Sequence, residues 1–248
     1  MALYLVVWAA FAVAFARARS ESTRRALGAA CAPAVVLTAT FAAIDLLMSL
    51  TPAWRSTVYG LAWLSGGFTG AVALVAVLLP AARRAGAIPP EVGAEHSHAL
   101  GTTLFAALAM WAYLALSQFF LVWIADLPEE ATWYLARSRG VWRPWATALL
   151  VGHLVLPMAA LLSRAVKRHP RRLAVVGAWV LLMRPLDAEW EVVPSLREGR
   201  LSPALVDLAA FVAVGGAAVA FAAWRGSRAT EPRTDPAVLR ASLNYEAP

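Results

Sequence analysis

An all-α membrane protein of about seven spanning helices is the fold class this sequence predicts. Three observations predict it. Hydrophobic residues make up 60% of the 248 and charged residues only 15%, against about 45–50% and about 25% in soluble domains. The apolar residues fall in long unbroken runs, most of them ended by arginine. The runs also lack the two-residue alternation of a lipid-facing β-barrel strand. The composition excludes a disordered chain, because there is ample apolar surface to bury.

The elements follow in order. The first run is Ala2 to Ala16, followed by Arg17, Arg19, Arg24 and Arg25. No positive charge precedes it, as a cleaved signal peptide requires, so it is expected to be retained as a helix. The second run is Ala26 to Leu50, and the third is Thr57 to Leu79, closed by Pro80. A loop with Arg83, Arg84 and Pro89-Pro90 leads to the fourth, Ala99 to Ile124. The fifth runs from Trp145 to Ser163, the sixth from Leu173 to Val193 and the seventh from Pro203 to Trp224. Residues 1–224 are thus one polytopic domain, and the polar residues 225–248 form a flexible tail.

Basic residues orient the chain. Alternate loops and the tail hold fifteen of the 22 Lys and Arg residues. By the positive-inside rule that side is cytoplasmic, with the N-terminus outside and the C-terminus inside. The net charge of +7 and pI near 10.5 therefore read as topology rather than nucleic-acid binding. The single cysteine, Cys31, makes no internal disulfide and reads as a small buried apolar side chain.

Ionisable groups at membrane depth are costly, so each is a functional candidate. Asp45 lies near the outer end of the second span, with Ser49 one turn on. Tyr113 and Ser117 share a face of the fourth span, with Gln118 beside them. His153 is in the fifth span, four residues before Pro157, which has no N–H to offer its carbonyl. Arg184 and Asp187 are three apart in the sixth. Structural roles stand beside each: interhelical hydrogen bonds for Ser117 and Gln118, mutual neutralisation for Arg184 and Asp187, packing for His153, and dipole stabilisation for Asp207 at a helix start. If their faces converge, Asp45, Tyr113, Ser117, Gln118 and His153 make a proton half-channel. Asp126, Glu129 and Glu130 would be its outer acidic mouth, with Asp187, Glu189 and Glu191 on the same side.

Several chemistries are excluded. The only lysine, Lys167, lies in a basic loop, so no retinal Schiff base is available within a span. His153 is the only histidine within a span, so bis-histidine haem is excluded. One cysteine cannot hold an iron–sulfur cluster. Gly66-Gly67 and Gly215-Gly216 lie within spans, where they let helices approach. No metal or cofactor is expected in this chain, and no nucleophile–base pair marks a hydrolase or transferase.

Four strings carry a resemblance. They are Phe41-Ala-Ala-Ile-Asp45 through Trp54 to Tyr59-Gly60; Leu104 through Trp111, Tyr113 and Ser117-Gln118 to Trp123, with Leu127-Pro128-Glu129-Glu130 and Trp133-Tyr134; His153 through Pro157 to Ser163-Arg164 with Lys167-Arg168; and Arg184-Pro-Leu-Asp187-Ala-Glu-Trp190. Together they resemble the smaller NrfD-like polytopic subunit (ActF type) of alternative complex III, a bacterial quinol:cytochrome c oxidoreductase, over residues 1–195. The resemblance implies an NrfD-like helix bundle in the bacterial inner membrane. It implies a non-catalytic subunit of a quinol-oxidising respiratory complex that supports assembly and conducts protons. The partners would be a larger NrfD-like subunit and iron–sulfur and multihaem cytochrome subunits, which hold the haem and iron–sulfur centres and meet quinol. Longer members carry further helices upstream, so a short form is expected, with one four-helix bundle incomplete unless another chain supplies the rest. The matching buried polar set is Asp45, Tyr113, Ser117, Gln118, His153, Arg184 and Asp187. A purely structural anchor and a stand-alone small-molecule transporter are the competing readings.

Overall fold

The computed structural model describes residues 1–18, 20–196 and 205–227. The described residues are helical, with no strand among them. Among the described residues four helices are long and apolar enough to cross a membrane: Ser22–Leu50, Tyr59–Arg84, Ala94–Ala125 and Trp142–Leu162. Two shorter apolar helices are Ala2–Arg17 and Asp207–Phe221. This make-up fits an all-α membrane protein.

The chain divides into two compact units, with the helices from Ala2 to Leu196 in the first and α10 (Leu205–Ser227) in the second. Residues 225–227 continue α10. The remainder of the expected tail lies outside the described residues, as do Arg19, Arg197, Arg200 and Pro203.

In the first unit, α1 (Ala2–Arg17) and α2 (Glu21–Leu46) pack together. The Ser20 side chain caps α2 by accepting from the Thr23 N–H, which satisfies one of the unpaired donors of a helix start. A short 3₁₀ turn (Met48–Leu50) leads to α3 (Tyr59–Arg84). Pro80 does not close α3 as expected. The helix runs four residues past it, because proline's fixed φ suits a helix and only one late hydrogen bond is forfeited.

Helix α4 (Ala94–Ala125) starts five residues earlier than expected, with Gly93 as its N-cap. It stops at Asp126, whose φ of 48° lies in the left-handed region that asparagine and aspartate tolerate best after glycine. Residues expected to form a loop then make α5 (Pro128–Ser138). Pro128 opens α5, Glu129 and Glu130 fall in its first turn and Arg137 in its last. That order suits the helix dipole.

The fifth run is broken into three. Helix α6 (Trp142–Ala148) passes into a π-helical segment (Leu149–Val155) and then α7 (Leu156–Leu162). Pro157 cannot donate back to the His153 carbonyl, so the ladder widens just before it. A one-turn helix, α8 (Arg164–Lys167), leads to α9 (Pro170–Leu196).

Helix α3 packs chiefly between α9, α4 and α2. Two glycines permit these crossings. A Cβ on Gly60 would sit 2.7 Å from Thr40 Cα, and one on Gly177 would sit 2.8 Å from the Ala73 carbonyl oxygen. Beside the second crossing lies an aliphatic core of Ala73, Ala76, Leu104, Leu108, Leu161, Leu173 and Val180. A separate aromatic cluster holds Trp54, Tyr59 and Trp133, with Trp63, Tyr134 and Trp190 against it.

Candidate functional site

Trp133, Tyr134 and Trp190 of the aromatic cluster form one wall of a cavity of about 660 Å³, bounded by α4, α5, the π-helical segment and α9. Most of the wall is apolar. The polar exceptions are Gln118, Asp126, Tyr134, Arg137, Ser138, Asp187 and Glu191.

Two of the three acids come from one turn of α9. Asp187 and Glu191 are four residues apart and share a helix face. Asp187 is buried and accepts from Arg184 Nη1 at 2.5 Å. The Arg184 guanidinium needs room, and Gly66 of α3 supplies it: a Cβ there would lie 2.5 Å from both terminal guanidinium nitrogens. Gly66 thus serves a charge, whereas nothing lies within 4 Å of a Cβ on Gly67. Glu191 Oε2 accepts from Trp63 Nε1 at 3.1 Å, with the Tyr59 hydroxyl beside it.

Arg137 joins the acids from α5. It is 1% exposed. Its Nη1 donates to the Trp133 carbonyl at 2.9 Å, and its Nη2 donates to the Glu191 carbonyl at 2.6 Å and Ser195 Oγ at 2.7 Å. The guanidinium lies 3.5 Å from the centroid of the Trp133 ring, which Trp54 also stacks upon at 4.4 Å. Trp190 Nε1 returns a bond to the Arg137 carbonyl at 3.2 Å. Burial pulls the Arg137 guanidinium down to about 10, with Glu191, Tyr59 and Tyr134 acting in the opposite direction. It therefore stays cationic at neutral pH. Burial pushes the Tyr134 phenol up, and Glu191 adds to the rise. Tyr134 is thus a neutral donor beside the acids.

The expected site residues divide. Gln118 and Asp187 reach the cavity, and Arg184 reaches it through Asp187. His153 is fully buried in the π-helical segment, with no partner for either ring nitrogen. It stacks on Trp111, ring centroids 4.3 Å apart, and Trp111 in turn lines the cavity. The neighbouring Gly152 carbonyl accepts from Trp179 Nε1 at 2.7 Å.

The others lie elsewhere. The Asp45 carboxylate is exposed and bonded to the Tyr4 hydroxyl between α1 and α2, while Ser49 Oγ bonds the Asp45 carbonyl at 2.6 Å. Tyr113 is 67% exposed, and Ser117 Oγ bonds back to the Leu114 carbonyl at 3.1 Å. Tyr113 and Gln118 therefore point to different sides of α4, because five residues advance a helix by roughly 500°. Asp45, Tyr113, Ser117, Gln118 and His153 do not line one continuous path. Of the expected outer mouth, Asp126 lines the cavity, and Glu129 and Glu130 sit in the first turn of α5.

The residues missed as site candidates are Arg137, Tyr134 and Trp63, while the sequence marks Glu191 only as one of the acids on the outer side and not as a partner of Asp187. The four-residue step from Asp187 to Glu191 was the available signal. No comparable pattern marks Arg137, whose role depends on α5 packing against α9. Among the described residues no group of three or more His, Cys, Asp or Glu is placed to hold a metal ion. No protein-family model matches the chain, and no curated protein matches it significantly.

Proposed function

We propose that this chain is an integral-membrane subunit of a quinol-oxidising respiratory complex of the alternative complex III type, and that it handles protons at Asp187 and Glu191. In this reading it crosses the bacterial inner membrane about seven times, with its N-terminus outside. The larger NrfD-like, iron–sulfur and multihaem cytochrome subunits assemble around it and carry the electrons.

One observation supports the proton role above the others: two carboxylates on one face of α9, each with a cationic neighbour, border a largely apolar cavity. Carboxylates at membrane depth are expensive to keep, and their usual uses are proton relays and ligand sites. The cavity brings Gln118 and Tyr134 to the same place, which suits a lipophilic molecule with a hydroxylated aromatic head. The matching motifs on α4 and α9 supply the quinol-oxidising context.

A purely structural anchor is the second reading. The interlock of Arg137, Trp133 and Trp190 favours it, since that network ties α5 to α9 without any chemistry.

The test uses the complex that co-purifies with a tagged chain, reconstituted in vesicles. Multihaem cytochrome and iron–sulfur subunits should co-elute; their absence would overturn the respiratory assignment. Glu191→Gln and Asp187→Asn should lower protons released per electron while the complex stays intact. Unchanged proton yield and turnover in both variants would leave the anchor.

A further inference from the structure

The other end of the bundle carries a second polar cluster that the proton reading does not use. Here α3 ends at Arg83 and Arg84, α4 begins at Ala94, and α8 supplies Arg164 and Lys167. Arg83 Nη2 fastens the start of α4, donating to the Val92 carbonyl at 2.7 Å, the Gly93 carbonyl at 2.9 Å and Ser97 Oγ at 3.2 Å. Gly93 has no side chain to cap α4, so the first N–H groups of that helix lack a side-chain acceptor.

His98 sits one turn into α4, 6% exposed, with neither ring nitrogen hydrogen-bonded. It shares its helix face with Gly101. Lys167 lies so close to Gly101 that a Cβ there would be 2.7 Å from Lys167 Cγ. The imidazole therefore lies near α8, where Lys167, Arg164 and Arg168 act on its charge, opposed by Glu95 of its own helix. Arg168 is paired with Glu95. Among the described residues Arg164 and Lys167 form no ion pair.

A buried imidazole without a partner, an uncapped helix start and two unpaired cations are jointly short of one anion. We propose that His98, Arg164, Lys167 and the first turn of α4 form a binding site for the phosphate headgroup of an anionic phospholipid. The phosphate would accept from the Lys167 ammonium, the Arg164 guanidinium and the His98 ring. The lipid is favoured over free phosphate by position. The site lies where the apolar span Ala94–Ala125 begins and just past the end of the span Trp142–Leu162. Acyl chains can therefore lie along the exposed apolar sides of those helices. Basic pockets between helices at a membrane surface bind lipid headgroups in this way.

The full chain is purified in detergent with whatever subunits remain bound, then stripped of lipid. Its thermal midpoint is followed on titration with dioleoyl phosphatidylglycerol, dioleoyl phosphatidylcholine or inorganic phosphate. Phosphatidylglycerol should raise the midpoint and phosphatidylcholine should not. Lys167→Gln combined with Arg164→Gln should raise the half-saturating lipid concentration at least tenfold, without moving the lipid-free midpoint. Lys167→Arg should bind within about threefold of the parent, as a retained cation would. Arg171→Gln with Arg172→Gln removes two exposed charges from the start of α9 and should change binding less than twofold. Equal losses in that control would show bulk attraction and overturn the site. An equal response to phosphatidylcholine would also overturn it, and a full response to inorganic phosphate alone would overturn the lipid assignment.

Discussion

Replacing Arg137 by methionine tests the network that closes the cavity. The guanidinium makes three hydrogen bonds, to two carbonyls and a hydroxyl, and covers the Trp133 ring. It is also a cationic neighbour of the half-buried Glu191. Methionine fills much of the same volume but supplies no donor and no charge. Loss of the guanidinium leaves two carbonyls and a hydroxyl without a charged donor, at about 1–3 kcal/mol for each acceptor left unsatisfied, so a total of about 3–5 kcal/mol is expected. At about 2–4 °C per kcal/mol for a chain of this size, Arg137→Met should lower the melting midpoint by about 6–20 °C. The assay is tryptophan emission during a thermal ramp in detergent. Trp133 loses its guanidinium cover, so emission should shift before unfolding begins. Glu191→Gln added to Arg137→Met should recover part of the loss, since the orphaned charge is then gone. A midpoint for Arg137→Met within about 2 °C of the parent, with unchanged emission, would refute the reasoning.

Three further outcomes are expected. Gly177→Val should force α3 and α9 apart at the Ala73 carbonyl and cost about 1–3 kcal/mol in thermal unfolding, whereas Gly67→Ala, with open space around it, should be neutral or slightly stabilising. Gly66→Ala should displace the Arg184 guanidinium, so combining it with Asp187→Asn should cost less than the sum of the two single losses in the same measurement. His153→Phe should keep the stack on Trp111 and remove two buried unpaired nitrogens, leaving the midpoint unchanged or higher; a drop of several degrees would show that the ring has a partner.

The helical class was legible because apolar run length is a local property. The long runs around α2, α3 and α4 needed only counting. What escaped depends on which face of a helix meets which neighbour. Asp45 and Asp187 look alike in sequence, each an acid inside an apolar run. Asp187 faces inward because Arg184 and Gly66 accommodate it, while Asp45 lies on the exposed α1–α2 side with Tyr4. Helix α5 escaped because it is short and largely polar. Its two buried side chains, Trp133 and Arg137, are four residues apart, a signal visible only once the segment is known to be helical. The widening at Leu149–Val155 was foreshadowed by Pro157, whose missing N–H marks the place but not the form of the break.

Helix α9 has a consequence for how the protein enters its membrane. It packs along α3, yet it is not among the helices apolar enough to cross a bilayer by composition. Each charged residue costs about 2.5–3.5 kcal/mol at the middle of a lone helix during insertion, and α9 carries Arg184, Asp187, Glu189 and Glu191. In the proposed seven-span topology it cannot partition on its own merits and must be received by protein already in place. The receiving surface is α3, with the notch at Gly66 for the Arg184 guanidinium and Trp63 ready to donate to Glu191. Synthesis delivers α3 more than 80 residues before α9, so the acceptor is waiting when the costly helix emerges. A variant that fills the notch should therefore show its defect first as α9 left outside the bilayer, before any effect on a mature protein can be read.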